Sequence, residues 1–189
     1  MRMISPSCLV GILGVVAVSA LGGCGSESPG ASTPASASAE KASGGSDGKG
    51  IKQGDKAPQF AMDSMNGAGK MTIAPGKVTI VDFWATWCEP CKKSFPKLQE
   101  LYVKYKSNGL EIVAVSVDDE KNGIADFAKT HGAKFPVGWD DGKKLAERWK
   151  PENMPSSYIV GKDGTVKFIH RGYHDGEENE VEKELKSLF

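Results

Sequence analysis

The chain has 189 residues, of which 39% are hydrophobic and 25% charged, enough for one globular domain with additional segments. Lys and Arg together number 24, as do Asp and Glu. This balance provides no basic face for nucleic acid or acidic lipid, so nucleic acid is not among the expected partners.

Arg2 is the only charge ahead of an apolar run from Leu9 to Leu21. At about 13 residues the run suits a secretory signal and is short for a spanning helix, which needs roughly 20. It closes with Leu21-Gly22-Gly23-Cys24, which resembles a bacterial lipobox. The resemblance implies a signal peptide over 1–23 and lipid on Cys24. The alternative is an ordinary cleaved signal with an incidental cysteine. Several acyl chains, each contributing about 0.8 kcal/mol per buried CH₂, would hold the protein on a membrane. The expected location is therefore lipid-anchored to the cell envelope, on a periplasmic or extracellular face. Gly25 stands where many two-membrane bacteria carry an aspartate that retains lipoproteins at the inner membrane. Its absence hints at outer-membrane sorting only if such a membrane exists, and the sequence leaves inner versus outer membrane open.

Residues 24–50 read as the lipidated cysteine and a tether rich in Ser, Gly, Ala and Pro, with almost no large apolar side chain. Such a segment buries too little surface to offset the entropy of ordering. As a random coil its roughly 26 residues span about 28 Å. The folded domain is expected over 51–189.

Short strand candidates at Gln59–Met62 and Lys70–Ile73 flank Asn66-Gly67, a turn signal, and suggest an N-terminal β-hairpin. Val78–Trp84 is almost continuously apolar, as in a strand covered on both faces. Glu89–Lys106 reads as a helix, with Leu98, Leu101, Tyr102 and Tyr105 three and four apart, closed by Asn108-Gly109. Glu111–Val117 is a second buried strand and Ile124–His131 a helix closed by Gly132. Phe135–Trp139 is a short strand or loop, and Lys143–Trp149 a short helix. Ser157–Val160 and Thr165–Ile169 flank the hairpin turn Lys162-Asp163-Gly164, and Glu177–Leu188 closes as a helix. This order predicts an α/β fold with a mixed central sheet and helices on both faces.

The densest chemistry lies at Trp87-Cys88-Glu89-Pro90-Cys91, where an apolar strand runs into a helix start. Cysteines at i and i+3 on a first helical turn can close a small disulfide ring, and the unpaired N–H groups there favour a thiolate. Up to about 2 kcal/mol of dipole stabilisation brings a thiol from about 8.5 to near 7. Cys8 would leave with the signal and Cys24 would carry lipid, so Cys88 and Cys91 are the cysteines of the folded part. In an exported protein, where disulfides persist, a lone close pair reads as chemistry rather than scaffolding.

The segment Val81-Asp82-Phe83-Trp84-Ala85-Thr86-Trp87-Cys88-Glu89-Pro90-Cys91-Lys92-Lys93-Ser94-Phe95-Pro96 resembles the active-site segment of thioredoxin-like proteins. The order of elements from Ile51 onward is similar to the TlpA/ResA group of membrane-anchored thiol-disulfide oxidoreductases, within the AhpC/TSA-redoxin superfamily. The resemblance covers almost all of 51–189 and implies a thioredoxin fold. It implies a protein-disulfide reductase whose redox group is the Cys88–Cys91 pair, with no other cofactor and no metal. It further implies protein thiol or disulfide substrates, with cytochrome c maturation among the targets, and a membrane electron donor or acceptor. A monomer is expected.

Cys88 is the expected nucleophile and Cys91 the resolving thiol, which attacks the mixed disulfide and releases the substrate. Pro90 suits the first helical turn, where its missing N–H has no intrahelical partner to lose. Glu89 either repels a neighbouring thiolate or is merely solvated. Pro96 is expected to remove one helical hydrogen bond and kink the axis. Asp82 matches the buried acid of thioredoxins. Buried, it would be raised in pKa and could take the Cys91 proton; the alternative is a strand-end aspartate in water. Pro155, after Met154, stands where thioredoxin-like folds place a cis proline that exposes the preceding backbone for strand-like pairing with substrate. Trp87, Trp84 and Tyr173 are candidates for an apolar rim, with Trp84 otherwise core. His131, His170 and His174 are expected at the surface or in turns. Many ResA-like chains carry glutamate where Ser94 stands, so their substrate preference is not carried over.

Three other readings of the pair fit the sequence less well. A metal-binding C-x-x-C module needs further ligands, and none adjoins the pair. A haem-attachment motif would require histidine where Lys92 stands. A peroxiredoxin-like peroxidase would carry threonine three residues before the cysteine, where Ala85 stands.

Overall fold

The structure, a computed structural model, describes residues 50–189. The expected signal peptide, Cys24 and the tether up to residue 49 lie outside the described residues. Among the described residues no helix is long and apolar enough to cross a membrane.

Strand β3, Val78–Trp84, has every side chain buried, which requires cover on both faces of the sheet. It lies at the centre of a five-stranded mixed sheet. On one side it pairs in parallel with β4, Leu110–Ser116, which in turn pairs in parallel with β5, Val137–Trp139. On the other side it pairs antiparallel with β6, Ser156–Val160, which pairs antiparallel with β7, Val166–Arg171. Helix α1, Glu89–Tyr105, connects β3 to β4, and α2, Ile124–Thr130, connects β4 to β5. Two successive right-handed crossovers in the same direction put both helices on one face. Consecutive residues of β3 mark the two faces. Trp84 packs on Phe95 of α1 and Phe127 of α2, at ring-centroid distances of 4.6 and 4.5 Å. Phe83 turns the other way, to Trp149 of α3, Lys144–Trp149, at 5.8 Å. Trp84 is therefore core and no part of a rim.

The expected hairpin is present as β1, Ala61–Asp63, and β2, Lys70–Thr72. It starts later than Gln59 because the Gln59 carbonyl accepts from the Arg148 guanidinium instead. Its loop covers the free edge of β5. Met65 N–H donates to the Val137 carbonyl at 2.7 Å, and the Asn66 side chain donates to the Phe135 carbonyl at 2.9 Å. An uncovered edge would present unpaired backbone groups to another chain. Gly138 of β5 sits against the Met62 and Met71 sulfurs, leaving no room for a Cβ.

Helix α1 runs without a break through Pro96 and ends in a short 3₁₀ turn. Gly109 follows at φ +94°, a left-handed conformation that glycine adopts freely. The last helix, α4, Glu177–Lys186, stops before Leu188. It is tied to α1 by Glu182, which accepts from Lys104 at 2.8 Å and from the Tyr105 hydroxyl at 2.7 Å. Strand β7 begins one residue after Thr165, whose N–H is taken by Asp163 in the turn.

Candidate active site

β3 ends at Trp84, and the chain turns through Ala85–Trp87 into α1. Cys88 is the residue that caps this helix, in an extended conformation at φ −80° and ψ 106°. Its N–H donates to the Ala85 carbonyl at 3.1 Å, and its Sγ accepts the Cys91 N–H at 3.2 Å. A capping side chain that accepts from the first turn is the usual way an orphan helical N–H is satisfied. Here the acceptor is sulfur. Cys88 and Cys91 are joined by a disulfide with Cα atoms 5.3 Å apart. Cys91 is fully buried, whereas Cys88 keeps 3% of its surface, so the first cysteine is the one with any access to solvent. Beside it Trp87 is 68% exposed. Pro90 sits in the first turn, and the exposed Glu89 pairs with Lys92.

Asp82 is fully buried on β3, directly opposite Ser157 of β6. Cross-strand partners share a face, and the Ser157 hydroxyl donates to Asp82 Oδ1 at 2.6 Å. Oδ2 has no hydrogen-bond partner among the described residues. Burial pushes the carboxyl up to about 7. The Ser157 hydrogen bond opposes the rise and the charge of Glu177 adds to it.

Just ahead of β6, the Met154–Pro155 peptide is cis. The Pro155 carbonyl accepts from Gly172 N–H at 2.7 Å, which ties this turn to the end of β7. Pro155 and Ser157 share a cavity of about 30 Å³ with Ser94, Tyr173 and Glu177. A wider groove of about 350 Å³ runs from Glu89, Pro90, Lys92 and Lys93 to Tyr173, His174 and Asp175, so it borders the start of α1.

Residues 53–169 match the AhpC/TSA family. The chain belongs to the AhpC/TSA family. The thiol-disulfide oxidoreductase ResA of Bacillus subtilis is 35% identical over 123 residues, which are 65% of this chain and 69% of that protein. ResA of a Bacillus cereus strain is 34% identical over 136 residues, 71% of this chain and 78% of its own. A Chlorobium tepidum structure assigned as thiol:disulfide interchange protein DsbE superposes with a TM-score of 0.68 at 30% identity, covering 73% of this chain and 98% of that one. StoA from Bacillus subtilis superposes with a TM-score of 0.58 at 25% identity, over 67% of this chain and 95% of that one. The fold is therefore a thioredoxin fold, and the enzyme is a thiol-disulfide oxidoreductase.

The structure brings Asp82, Ser94, Pro155 and Tyr173 to the region behind α1, while Glu89, Pro90 and Trp87 stay at its outer start. Met154 is half-buried beside Pro155. The expectation for His170 needs correcting. It is neither a surface nor a turn residue, but a half-buried side chain of β7 clamped between two glutamates of α4. Its Nδ1 is 3.1 Å from Glu177 and its Nε2 is 2.7 Å from Glu184. Burial pulls its pKa down, but the two carboxylates outweigh that and raise it. His174 is exposed, and His131 packs on the Phe127 ring at a centroid distance of 4.2 Å.

Asp118 was not singled out by sequence reasoning. Its carboxylate accepts from Thr86 N–H at 3.0 Å, from the Thr86 hydroxyl at 2.8 Å and from the Ser116 hydroxyl at 2.6 Å. It thereby fixes the turn that presents Cys88. The signal available in sequence was a pair of aspartates ending a buried strand, which alone looks like any strand terminus.

Proposed function

We propose that this enzyme reduces disulfides of extended or unfolded proteins outside the cytoplasm, held to the cell envelope by lipid on Cys24. Cytochrome c maturation is the first substrate class to test, and a membrane thiol-disulfide partner supplies the electrons. The observation that carries the reading is the Cys88–Cys91 disulfide at the start of α1, with the outer sulfur capping the helix.

In the reduced enzyme Cys88 is the thiolate, stabilised by the same amide that now points at its sulfur. It attacks a substrate disulfide, forming one S–S bond and expelling one substrate thiolate, which takes a proton from water. Cys91 then gives its proton to Asp82 and attacks Cys88 Sγ. The internal disulfide closes and the second substrate sulfur leaves as a thiolate, which takes a proton from water. Two electrons pass from the dithiol to the substrate, and no metal or other cofactor is involved. The groove beside Glu89 and Tyr173, the exposed Trp87, and the Met154 backbone next to Pro155 support docking of an extended polypeptide across the outer sulfur.

The test is Cys91→Ala in the native host. Removing the resolving thiol leaves the mixed disulfide in place, so captured proteins accumulate covalently on Cys88 and are released by a reductant. Apocytochromes in the membrane-associated fraction are expected among them. If Cys91→Ala traps nothing that Cys91→Ala/Cys88→Ser does not, the exchange reading fails.

A further inference from the structure

Glu177 takes no part in the scheme above, yet it is a buried carboxylate facing the region of the buried acid. It is the first residue of α4 and is almost wholly enclosed. One oxygen pairs with His170 Nδ1, and the other accepts the His174 N–H at 3.3 Å. It lines the same cavity as Ser157, whose hydroxyl is bonded to Asp82. A volume of about 30 Å³ accommodates one or two waters, and Ser157 and Glu177 give the walls polar groups to hold them. Asp82 itself has no exposed surface, so a proton taken from Cys91 must leave by some internal path.

We propose that Glu177 is a positioning residue for the exchange reaction, setting the proton affinity of Asp82 through the Ser157 cavity and passing its proton to solvent. This rests on the role given to Asp82 in the proposed function. The path is Asp82 to the Ser157 hydroxyl, to cavity water, to Glu177, and out past the exposed His174. Each link transfers one proton and leaves its carrier unchanged. A protonated His170 imidazole, 3.1 Å from Glu177, offsets part of the carboxylate's field at Asp82.

The other ionisable groups facing this region act more weakly. Lys97 of α1 and Glu178 of α4 stand at the cavity mouth, 3.9 Å apart, and largely offset each other. Tyr173 lies on the loop before α4, its pKa raised chiefly by burial, and it stays neutral near pH 7. Glu184 holds the far side of His170. Cys91 is locked in the disulfide of the oxidised form. From β4, the neighbour of Asp82 is the apolar Ala114.

The experiment follows the carboxyl carbon of Asp82 by NMR titration in the oxidised full chain, alongside the pH–rate profile of disulfide reduction. Glu177→Gln removes a like charge and lowers the Asp82 midpoint by about half a pH unit, about a threefold change in its ionisation constant. His170→Gln removes the cation that screens Glu177 and moves the midpoint the opposite way. Glu180→Gln, an exposed change in the same first turn of α4, leaves it in place. Opposite shifts for the first two variants are not produced by loosening of α4. If Glu177→Gln or His170→Gln melts like the wild type and leaves the midpoint unmoved, the inference is overturned. If the midpoints shift as expected but the rate profile ignores them, the coupling stands and Asp82 drops out of the exchange step.

Discussion

Two buried aspartates stand on neighbouring parts of the same sheet and have been put to opposite uses. Asp118, just beyond β4, receives Thr86 N–H, the Thr86 hydroxyl and the Ser116 hydroxyl. Asp82, inside β3, receives only the Ser157 hydroxyl, and its second oxygen has no partner among the described residues. Both are largely removed from water. What separates them is the number of donors that replace the lost water. A carboxylate met by several donors becomes an anchor, and here it anchors the turn carrying Cys88. A carboxylate left short of donors holds its proton near neutral pH, and that makes it useful for moving protons.

The comparison breaks most visibly at Asp82, through its pH dependence. Its folded-state pKa of about 7 lies above the unfolded value of 3.8. The folded protein therefore binds this proton more tightly than the unfolded chain. The associated stability is present below pH 3.8, declines above it and is gone once the pH passes 7. At about 1.36 kcal/mol per unit, ionising Asp82 removes on the order of 4 kcal/mol. Asp82→Asn carries no such charge. Relative to the wild type it should gain stability steadily in urea melts from pH 4 to pH 7 and level off above pH 8. A gap that stays constant across that range would mean Asp82 is solvated like an ordinary carboxylate. The same variant should lose exchange rate near neutral pH, so stability and activity move in opposite directions at one residue.

Asp118→Ala is the matching experiment, and its expected sign is reversed. It strips the acceptor from two hydroxyls and one backbone N–H in a half-buried turn. Leaving such groups unmet costs about 1–3 kcal/mol, so urea melts at neutral pH should show a loss of about 2–3 kcal/mol. Exchange should slow as well, because Thr86 is two residues from Cys88 and its backbone would no longer be held. A change of under about 0.5 kcal/mol would show that the turn supports itself and that Asp118 is not its anchor.

The contrast also explains which parts of the molecule were legible in the chain itself. The limits of β3 could be read because a strand covered on both faces must be apolar throughout, and Asp82 stood out against that run. The start of α1 could be read because Pro90 and the cysteine spacing both mark a first turn. Asp118 could not, since its meaning lies in Thr86, 32 residues away, brought close only when β3 and β4 align. His170 was misplaced for a similar reason. Its partners Glu177 and Glu184 are on a helix whose docking against β7 no local pattern specifies. Glu177 itself looked like one of several acidic residues in the first turn of α4, the usual complement to a helix dipole. The starts of β1 and β7 shifted by a residue or two where a side chain captured a backbone group, as Arg148 does at Gln59 and Asp163 at Thr165.

A third carboxylate completes the series, and its effect should be the smallest. Glu89 stands next to Cys88 in sequence, but its side chain is 79% exposed and pairs with Lys92 in water. Surface ion pairs contribute little, and water around the carboxylate weakens its field at the sulfur. Glu89→Gln should therefore leave the melting temperature unchanged within error. In the reduced enzyme the alkylation rate of Cys88 should rise by no more than about twofold at low salt. That difference should vanish near 1 M salt, where charges are screened within about 3 Å. A several-fold change that survives high salt would show that Glu89 acts on the thiolate at short range. Proximity in sequence would then outrank burial in deciding which carboxylates tune this site, contrary to the contrast between Asp82 and Asp118.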